Sequence, residues 1–506
     1  MIPPLLAVVV ATGALALALS TSADEPPAPA GPPHAVLLIL DEFPSDSLLG
    51  SDGRIDAVRY PGFAALARDA VWFRNAASSY DSTTKAVPLV LDGLRPRPGT
   101  SPNRRDHPRS VFDMFARAGY RMVSSEEATA LCPPSMCRGG RARKPAIIPN
   151  LVAGRPQRYQ RWVSSIGASR RPTFWMKHLL MPHGPYLYLP SGARSRPKPR
   201  DPLPGMNTTP GFHDEFLTRH NEQRYLLQLG FVDRLIGRLV RRLKGQGIYD
   251  DTLIVVTADH GISWEAGVDT RRSVNDSNVQ EVAPVPFFVK RPGQRRGALN
   301  DSYVRTLDVP STIADVLDRR LGYRDDGRSA FSRAARRSRR VTLPVRDFSS
   351  TVTISARRWE ARRRRVVERR LREFGSGELG SLFTGIGPNQ ALVGRSTEGL
   401  APASARQRPA AAFVRPGQFA NVRRASGVVP TQIAGDLRGG GPGARRDLAV
   451  ALNGRIEAVG RSFYLTGDAT QHFAFNVPEA AMREGRNSVE VFEVVAGGRL
   501  RPLARS

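Results

Sequence analysis

Two periods of apolar and polar positions alternate along the chain from His34 to about Leu343. Uninterrupted apolar runs such as AVLLIL (35–40) and TLIVVT (252–257) have the pattern of strands buried on both faces of a parallel sheet. VWFRNA, YRMVSS, TFWMKHLL and VPFFVK read as further strands. Between them lie helical patterns. PGFAALARDA carries Pro at a first-turn position, SVFDMFARAG (110–119) ends at Gly119, and DVPSTIADVL starts near Asp308. The longest, about 218–244, places Leu226, Leu229, Val232, Leu235, Ile236, Leu239 and Leu243 at helical spacing. This alternation predicts an α/β fold, a doubly wound and mostly parallel sheet, over 34–345.

The texture changes after Asp347. SARRWEARRRRVVERRLREF sets Trp359, Val366, Val367, Leu371 and Phe374 on one helical face, with the arginines between them read as a solvated face or, second, a membrane-surface helix. That helix and the linker GLAPASARQRPAAA occupy 346–411. From 412 to 506 the pattern is β: DLAVAL and RIEAV flank Asn453-Gly454, a hairpin signal, and NSVEVFEVV alternates. A small C-terminal β-sandwich is expected there. At the other end, Ile2 to Leu19 is apolar and a Pro/Ala-rich spacer follows it to residue 33. Eighteen apolar residues fit a signal-peptide core or a short membrane anchor, although the first basic residue is Arg54. Either reading puts the body outside the cytoplasm, secreted or membrane-anchored.

The formal charge of +29 rests on 69 Arg and only 6 Lys. The arginines are scattered, with no zinc-finger or RNP pattern, so a nucleic-acid partner is not expected. Anionic lipid or a cell-envelope polymer is the better match for this charge. Cys132 and Cys137, five apart around Pro-Pro, suit a disulfide in an exported protein, with a zinc pair as the alternative.

Three strand ends are polar, and in open α/β sheets ligands gather at the carboxyl ends of strands. Asp41 and Glu42 follow AVLLIL with no cation near them in sequence; a divalent cation would balance them, and a solvated loop carboxylate plus a cap is the alternative. Asp259 and His260 end TLIVVTADHG and make a metal half-site beside a glycine turn. His178 and His183 flank a Met-Pro turn in KHLLMPHGP and face a substrate in this reading. A fourth element, SYDSTTKAVPLVLDG (79–93), sets Thr83 and Thr84 at a helix start, where a hydroxyl serves as a cap or as an esterified nucleophile.

The order of acidic pair, hydroxyl at a helix start, His-x4-His-Gly-Pro and Ala-Asp-His-Gly resembles the sulfatase branch of the alkaline phosphatase superfamily. It is most similar to the threonine-nucleophile members, the bacterial phosphoglycerol and phosphoethanolamine transferases. The resemblance implies that Asp41, Glu42, Asp259 and His260 hold a divalent metal (Mn, Zn, Mg or Ca; one ion favoured, two allowed) that also touches Thr83. It implies Thr83 as nucleophile, and His178 and His183 contacting the transferred group or protonating the leaving oxygen; Lys85 either neutralises a nonbridging oxygen or is a solvated lysine. The Cys-x-Pro-x-Arg or Ser-x-Pro-x-Arg segment that sulfatases convert to formylglycine is absent, and threonine cannot form that aldehyde. The implied activity is therefore a metal-dependent phosphoryl transferase or hydrolase of envelope lipids or polymers. A sulfuric ester hydrolase and a non-catalytic envelope-binding protein are the alternatives.

Overall fold

The computed structural model of the chain describes residues 32–137, 147–196, 203, 206, 213–268, 270–383, 386–401, 404, 409–439 and 443–505. The apolar run 2–19 lies outside them. Among the described residues no helix is long and apolar enough to cross a membrane.

Seven strands form the main sheet: β1 (His34–Asp41), β2 (Val71–Phe73), β3 (Arg121–Ser125), β4 (Thr173–Pro182), β5 (Thr252–Ala258), β6 (Phe287–Lys290) and β7 (Ala298–Asn300). Their order is β3-β4-β1-β5-β6-β2-β7. The pairs β3–β4, β4–β1, β1–β5 and β2–β7 are parallel, and β6 alone runs antiparallel to its neighbours. Every residue of β1, β4 and β5 is buried, as the continuous apolar runs require of central strands covered on both faces.

The sheet is covered by α1 (Pro61–Asp69), α2 (Thr83–Asp92), α3 (Val111–Arg117), α4 (Ile147–Val152), α5 (Arg155–Ser164), α6 (Glu215–Gly245), α7 (Val279–Val282) and α8 (Val309–Val316). Helix α6 is the long helix read from leucine spacing, lengthened at its start because the Asp214 side chain accepts from Leu217 N–H. It buries polar side chains too: Asp233 accepts from Gly62 and Phe63 N–H at 2.9 and 2.8 Å and so caps α1. The stretch 220–233 is buried on every side and must satisfy such groups internally.

A short α9 (Arg333–Arg337) precedes a hairpin of β8 (Arg340–Pro344) and β9 (Thr351–Ser355), then α10 (Ala356–Phe374), the arginine-rich helix. Its apolar face is buried as read, with Trp359, Val367 and Phe374 inside. The reading of its arginines as a solvated face is corrected for part of the set. Arg363 and Arg370 are buried, the former on Asn75 and Asp46 and the latter on the Leu49 carbonyl. Arg369 bridges Glu222 of α6 at 2.7 Å and Glu281 of α7 at 3.0 Å. These partners lie more than 80 residues away in sequence, which is why local pattern hides them.

The C-terminal strands are β10 (Ala410–Phe413), β11 (Gln432–Arg438), β12 (Asp447–Leu452), β13 (Arg455–Arg461), β14 (Gln471–Asn476), β15 (Val489–Val495), β16 (Arg499–Pro502) and β17 (Ala504–Arg505). They form two four-stranded sheets, β14-β11-β10-β17 and β13-β12-β15-β16. Ile433 and Phe473 from one and Val450 and Val491 from the other share a core, giving the expected sandwich. Asn453 and Gly454 both have positive φ (52° and 82°), the conformation a two-residue hairpin of this type needs. Cys132 and Cys137 are joined as a disulfide.

Candidate active site

The carboxyl ends of β1, β4 and β5 meet the start of α2. The register aligns Leu40 with Ala258, so Asp41 and Asp259 leave adjacent strands side by side. Two further backbone bonds lock them, Asp259 N–H to Leu40 O (3.0 Å) and Phe43 N–H to His260 O (2.7 Å). Gly261 is required by packing: a Cβ there would lie 2.2 Å from the Glu281 carbonyl oxygen of α7. Thr83 is the first residue of α2 and Ser82 its N-cap, without a side-chain cap bond. Thr83 is 8% exposed; its hydroxyl donates to Asp41 Oδ1 at 3.4 Å and lies 3.3 Å from His260 Nε2.

Asp41, Asp259 and His260 offer ligand atoms that all lie within 4.8 Å of one another. Three observations test whether a cation fits. Asp41 Oδ2 and Asp259 Oδ2 are buried and have no hydrogen-bond partner among the described residues. His260 Nδ1 is 2.8 Å from the Gly261 carbonyl, which fixes the proton on Nδ1 and leaves the Nε2 lone pair free toward Thr83. Burial, and then the charges of Asp259 and Glu42, pushes Asp41 well above the ordinary carboxylate range, and burial pushes Asp259 up to about 7. Two crowded, desolvated carboxylates with orphaned oxygens and an imidazole lone pair fit a hard divalent cation.

Glu42 sits elsewhere in the constellation. Its φ is +55°, a conformation a non-glycine residue adopts at some cost, held by its N–H donating to Asp259 Oδ1 at 3.1 Å. Its Oε1 pairs with Arg271 Nη2 at 3.0 Å and Arg272 Nε at 3.3 Å, and lies 3.4 Å from His183 Nε2. Burial works to raise its pKa, but the Arg271 and Arg272 guanidiniums outweigh it and hold the carboxyl well below the usual range. The cation that sequence proximity did not supply comes from 229 residues away. Arg271 and Arg272 are the functional residues sequence reasoning missed; the only signal was a basic doublet in the segment after Asp-His-Gly. That segment is tied to the one that carries Thr83: Val274 N–H donates to Asp81 Oδ2 at 2.9 Å.

The two histidines differ. His183 lies in the turn after β4, its Nδ1 2.6 Å from the Gly184 carbonyl. His178 is wholly buried inside β4, with Nε2 3.9 Å from Asp41 Oδ2. Burial lowers both, to about 4 for His183 and about 3 for His178, so both are neutral at pH 7. Lys85 is not brought to the site. Its ammonium donates to Arg97 O (2.8 Å), Thr100 O (2.6 Å) and Thr100 Oγ1 (2.8 Å), using all three of its protons. Two residues on from Thr83 is about 200° around the helix, which turns Lys85 to the opposite side.

Residues 157–319 match the Sulfatase family model. The matched stretch carries His178, His183, Arg271, Arg272, Asp259 and His260; Asp41 and Thr83 precede it. The chain is 27% identical over 143 residues to an ulvan-active sulfatase of Formosa agariphila, covering 28% of this chain and 26% of that protein. It is 23% identical over 273 residues to the multifunctional alkaline phosphatase superfamily protein PehA of Trinickia caryophylli, covering 47% and 52%. These matches span about a quarter to a half of the curated relatives' length. Among solved structures, the phosphonate monoester hydrolase of Silicibacter pomeroyi aligns with a TM-score of 0.44 at 20% identity, over 62% of this chain and 79% of that one.

Proposed function

We propose that the protein is an extracytoplasmic, metal-dependent hydrolase or transferase of phosphate esters of envelope lipids or polymers, acting through a covalent ester on Thr83. The observation that carries this reading is the Thr83 hydroxyl at a helix start, within 3.4 Å of both Asp41 Oδ1 and His260 Nε2. A cation held by Asp41, Asp259 and His260 supplies charge stabilisation and a lowered hydroxyl pKa. The chain's own residues do the rest. Thr83 Oγ1 forms a bond to phosphorus as the bond to the departing alcohol breaks; the hydroxyl proton, received by Asp41, ends on that alcohol. Arg271 and Arg272 face the site and suit the nonbridging oxygens of the transferred group.

The second half reverses these steps. Water or an acceptor alcohol attacks the ester, and its proton passes to His183 Nε2 and finally to Thr83. A neutral imidazole with Nδ1 directed at Gly184 O is an acceptor at Nε2, so His183 fits this base role better than that of an acid. Intact mass after incubation with an aryl phosphodiester should show an adduct on the Thr83 peptide, and Thr83→Ala should abolish turnover while divalent metal still binds. Full turnover in that variant would end the nucleophile assignment.

A second reading, sulfate-ester hydrolysis with unmodified threonine, is favoured by the Sulfatase match and the ulvan-active sulfatase relative. Rates on aryl sulfate and aryl phosphodiester, measured side by side, separate the two. A binding-only protein would show neither turnover nor metal uptake.

A further inference from the structure

The main sheet divides the charge of the α/β domain between its two ends. At the end carrying the site, the segments that follow the strands (42–60, 74–82, 126–137, 183–196, 259–268, 270–286 and 301–308) hold 8 Lys or Arg against 13 Asp or Glu. At the opposite end, the segments 68–71, 117–121, 165–173, 241–252, 290–298 and 317–322 hold 14 against 4. Strand direction sets this division: His34 pairs with Thr252, Arg121 with Thr173, and the antiparallel β6 brings Lys290 opposite Ile254. Arg121, Arg170, Arg171, Arg295, Arg296 and Arg319 are exposed there. Among the described residues the ion pairs at this end are loose, Lys244 with Asp69 at 3.6 Å and Arg295 with Asp250 at 3.8 Å.

The chain enters the sheet at this same end. Tyr120 Oη donates to Pro33 O at 2.7 Å, Thr173 N–H donates to His34 Nδ1 at 3.1 Å, and the apolar run 2–19 lies 15 residues before His34 in sequence. We infer that the cationic end is a docking surface for a bilayer of anionic lipid, set by its charge at the place where the chain would leave a membrane. Each Lys or Arg close to such a surface adds attraction on the order of 1 kcal/mol that fades within a Debye length of about 8 Å. The site then points away from the bilayer, separated from the docking face by the seven residues of β5, about 23 Å at ~3.3 Å per residue. The groups that reach it are those borne on molecules extending from the membrane. This inference concerns the domain's orientation and is independent of the chemistry at Thr83.

Hydrogen exchange of the full chain on two bilayers tests it. On phosphatidylcholine with about one-third phosphatidylglycerol, amides of 166–171, 291–297 and 318–322 should exchange at least about threefold more slowly than on phosphatidylcholine alone, at roughly 0.15 M salt. The variant Arg170→Glu/Arg296→Glu/Arg319→Glu/Arg320→Glu should lose this protection. Arg357→Glu/Arg364→Glu/Arg365→Glu/Arg372→Glu, exposed on α10, should keep it. Protection that is equal on both bilayers, that maps to α10 or the site end, or that survives the first variant overturns the proposal. So does equal slowing by soluble polyphosphate at the same phosphate concentration, which would assign the surface to a polymer.

Discussion

Thr83 and the two neighbouring carboxylates divide labour that their sequence positions suggest they share. Asp41 and Glu42 are adjacent, yet Asp41 faces Asp259, His260 and Thr83, while Glu42 anchors Arg271 and Arg272. The difference arises because successive residues leaving a strand point to opposite sides and because Glu42 turns at positive φ. Two substitutions separate these jobs. Asp41→Asn should weaken divalent-metal binding by at least on the order of 100-fold, the upper range for a group that only supports a metal ligand. Glu42→Gln should retain most metal, read by bound-metal content, while freeing the arginines and lowering turnover about 10- to 100-fold through lost orientation of the anion. Equal loss of metal in both variants would place Glu42 among the ligands. Lys85→Ala should leave turnover within about threefold, since its ammonium serves the loop 97–100 and not the site.

At the scale of elements, α10 and α7 support the site from behind. Arg369 joins α10 to Glu222 and Glu281, and Glu281 in turn accepts from Ser263 Oγ at 2.7 Å and Trp264 N–H at 3.0 Å, three and four residues after His260. Removing Arg369 takes the ion pair from Glu281 and leaves Glu222 with Arg219 alone (2.6 Å), so Arg369→Ala should cost about 2 kcal/mol in urea unfolding. Arg364→Ala, exposed on the same helix, should stay within about 0.5 kcal/mol. Similar costs for both would mean that α10 is held by its apolar face alone. Gly261→Ala forces a Cβ to 2.2 Å from Glu281 O and should displace the Asp259–His260 turn, with loss of metal binding as the readout.

For the whole molecule, the C-terminal sandwich is joined to the α/β domain through buried polar contacts as well as apolar ones. Asn476 of β14 contacts His220 Nε2 of α6 at 3.1 Å, and burial holds His220 well below its ordinary pKa. A histidine depressed in the folded state binds protons more tightly when unfolded. Its contribution to stability is therefore complete above about pH 6.5 and is lost as the pH falls below that value. The urea midpoint of the wild type should fall more steeply between about pH 7 and pH 5 than that of His220→Gln. Parallel slopes would remove His220 from the account of acid sensitivity.

Much of this architecture was legible in the order of residues. Continuous apolar runs require strands buried on both faces, a 3.6-residue leucine period requires α6, and Asn453-Gly454 requires its hairpin, because these rest on local backbone geometry. The polar strand ends were legible for the same reason: a charged residue closing an apolar strand must emerge at the sheet's edge. What local pattern could not show is which distant groups neutralise one another. Arg271 meets Glu42, Arg369 meets Glu222, and Lys85 turns to its own loop, each decided by how the chain crosses back over the sheet. The sequence alone determined that Asp41, Thr83, Asp259 and His260 would sit at strand and helix ends. Only the tertiary structure decided that Asp41, Asp259 and His260 share one desolvated cluster and that Glu42 belongs to the arginines. Electrostatic partnership depends on distance in space, which register and crossover set and which separation along the chain does not.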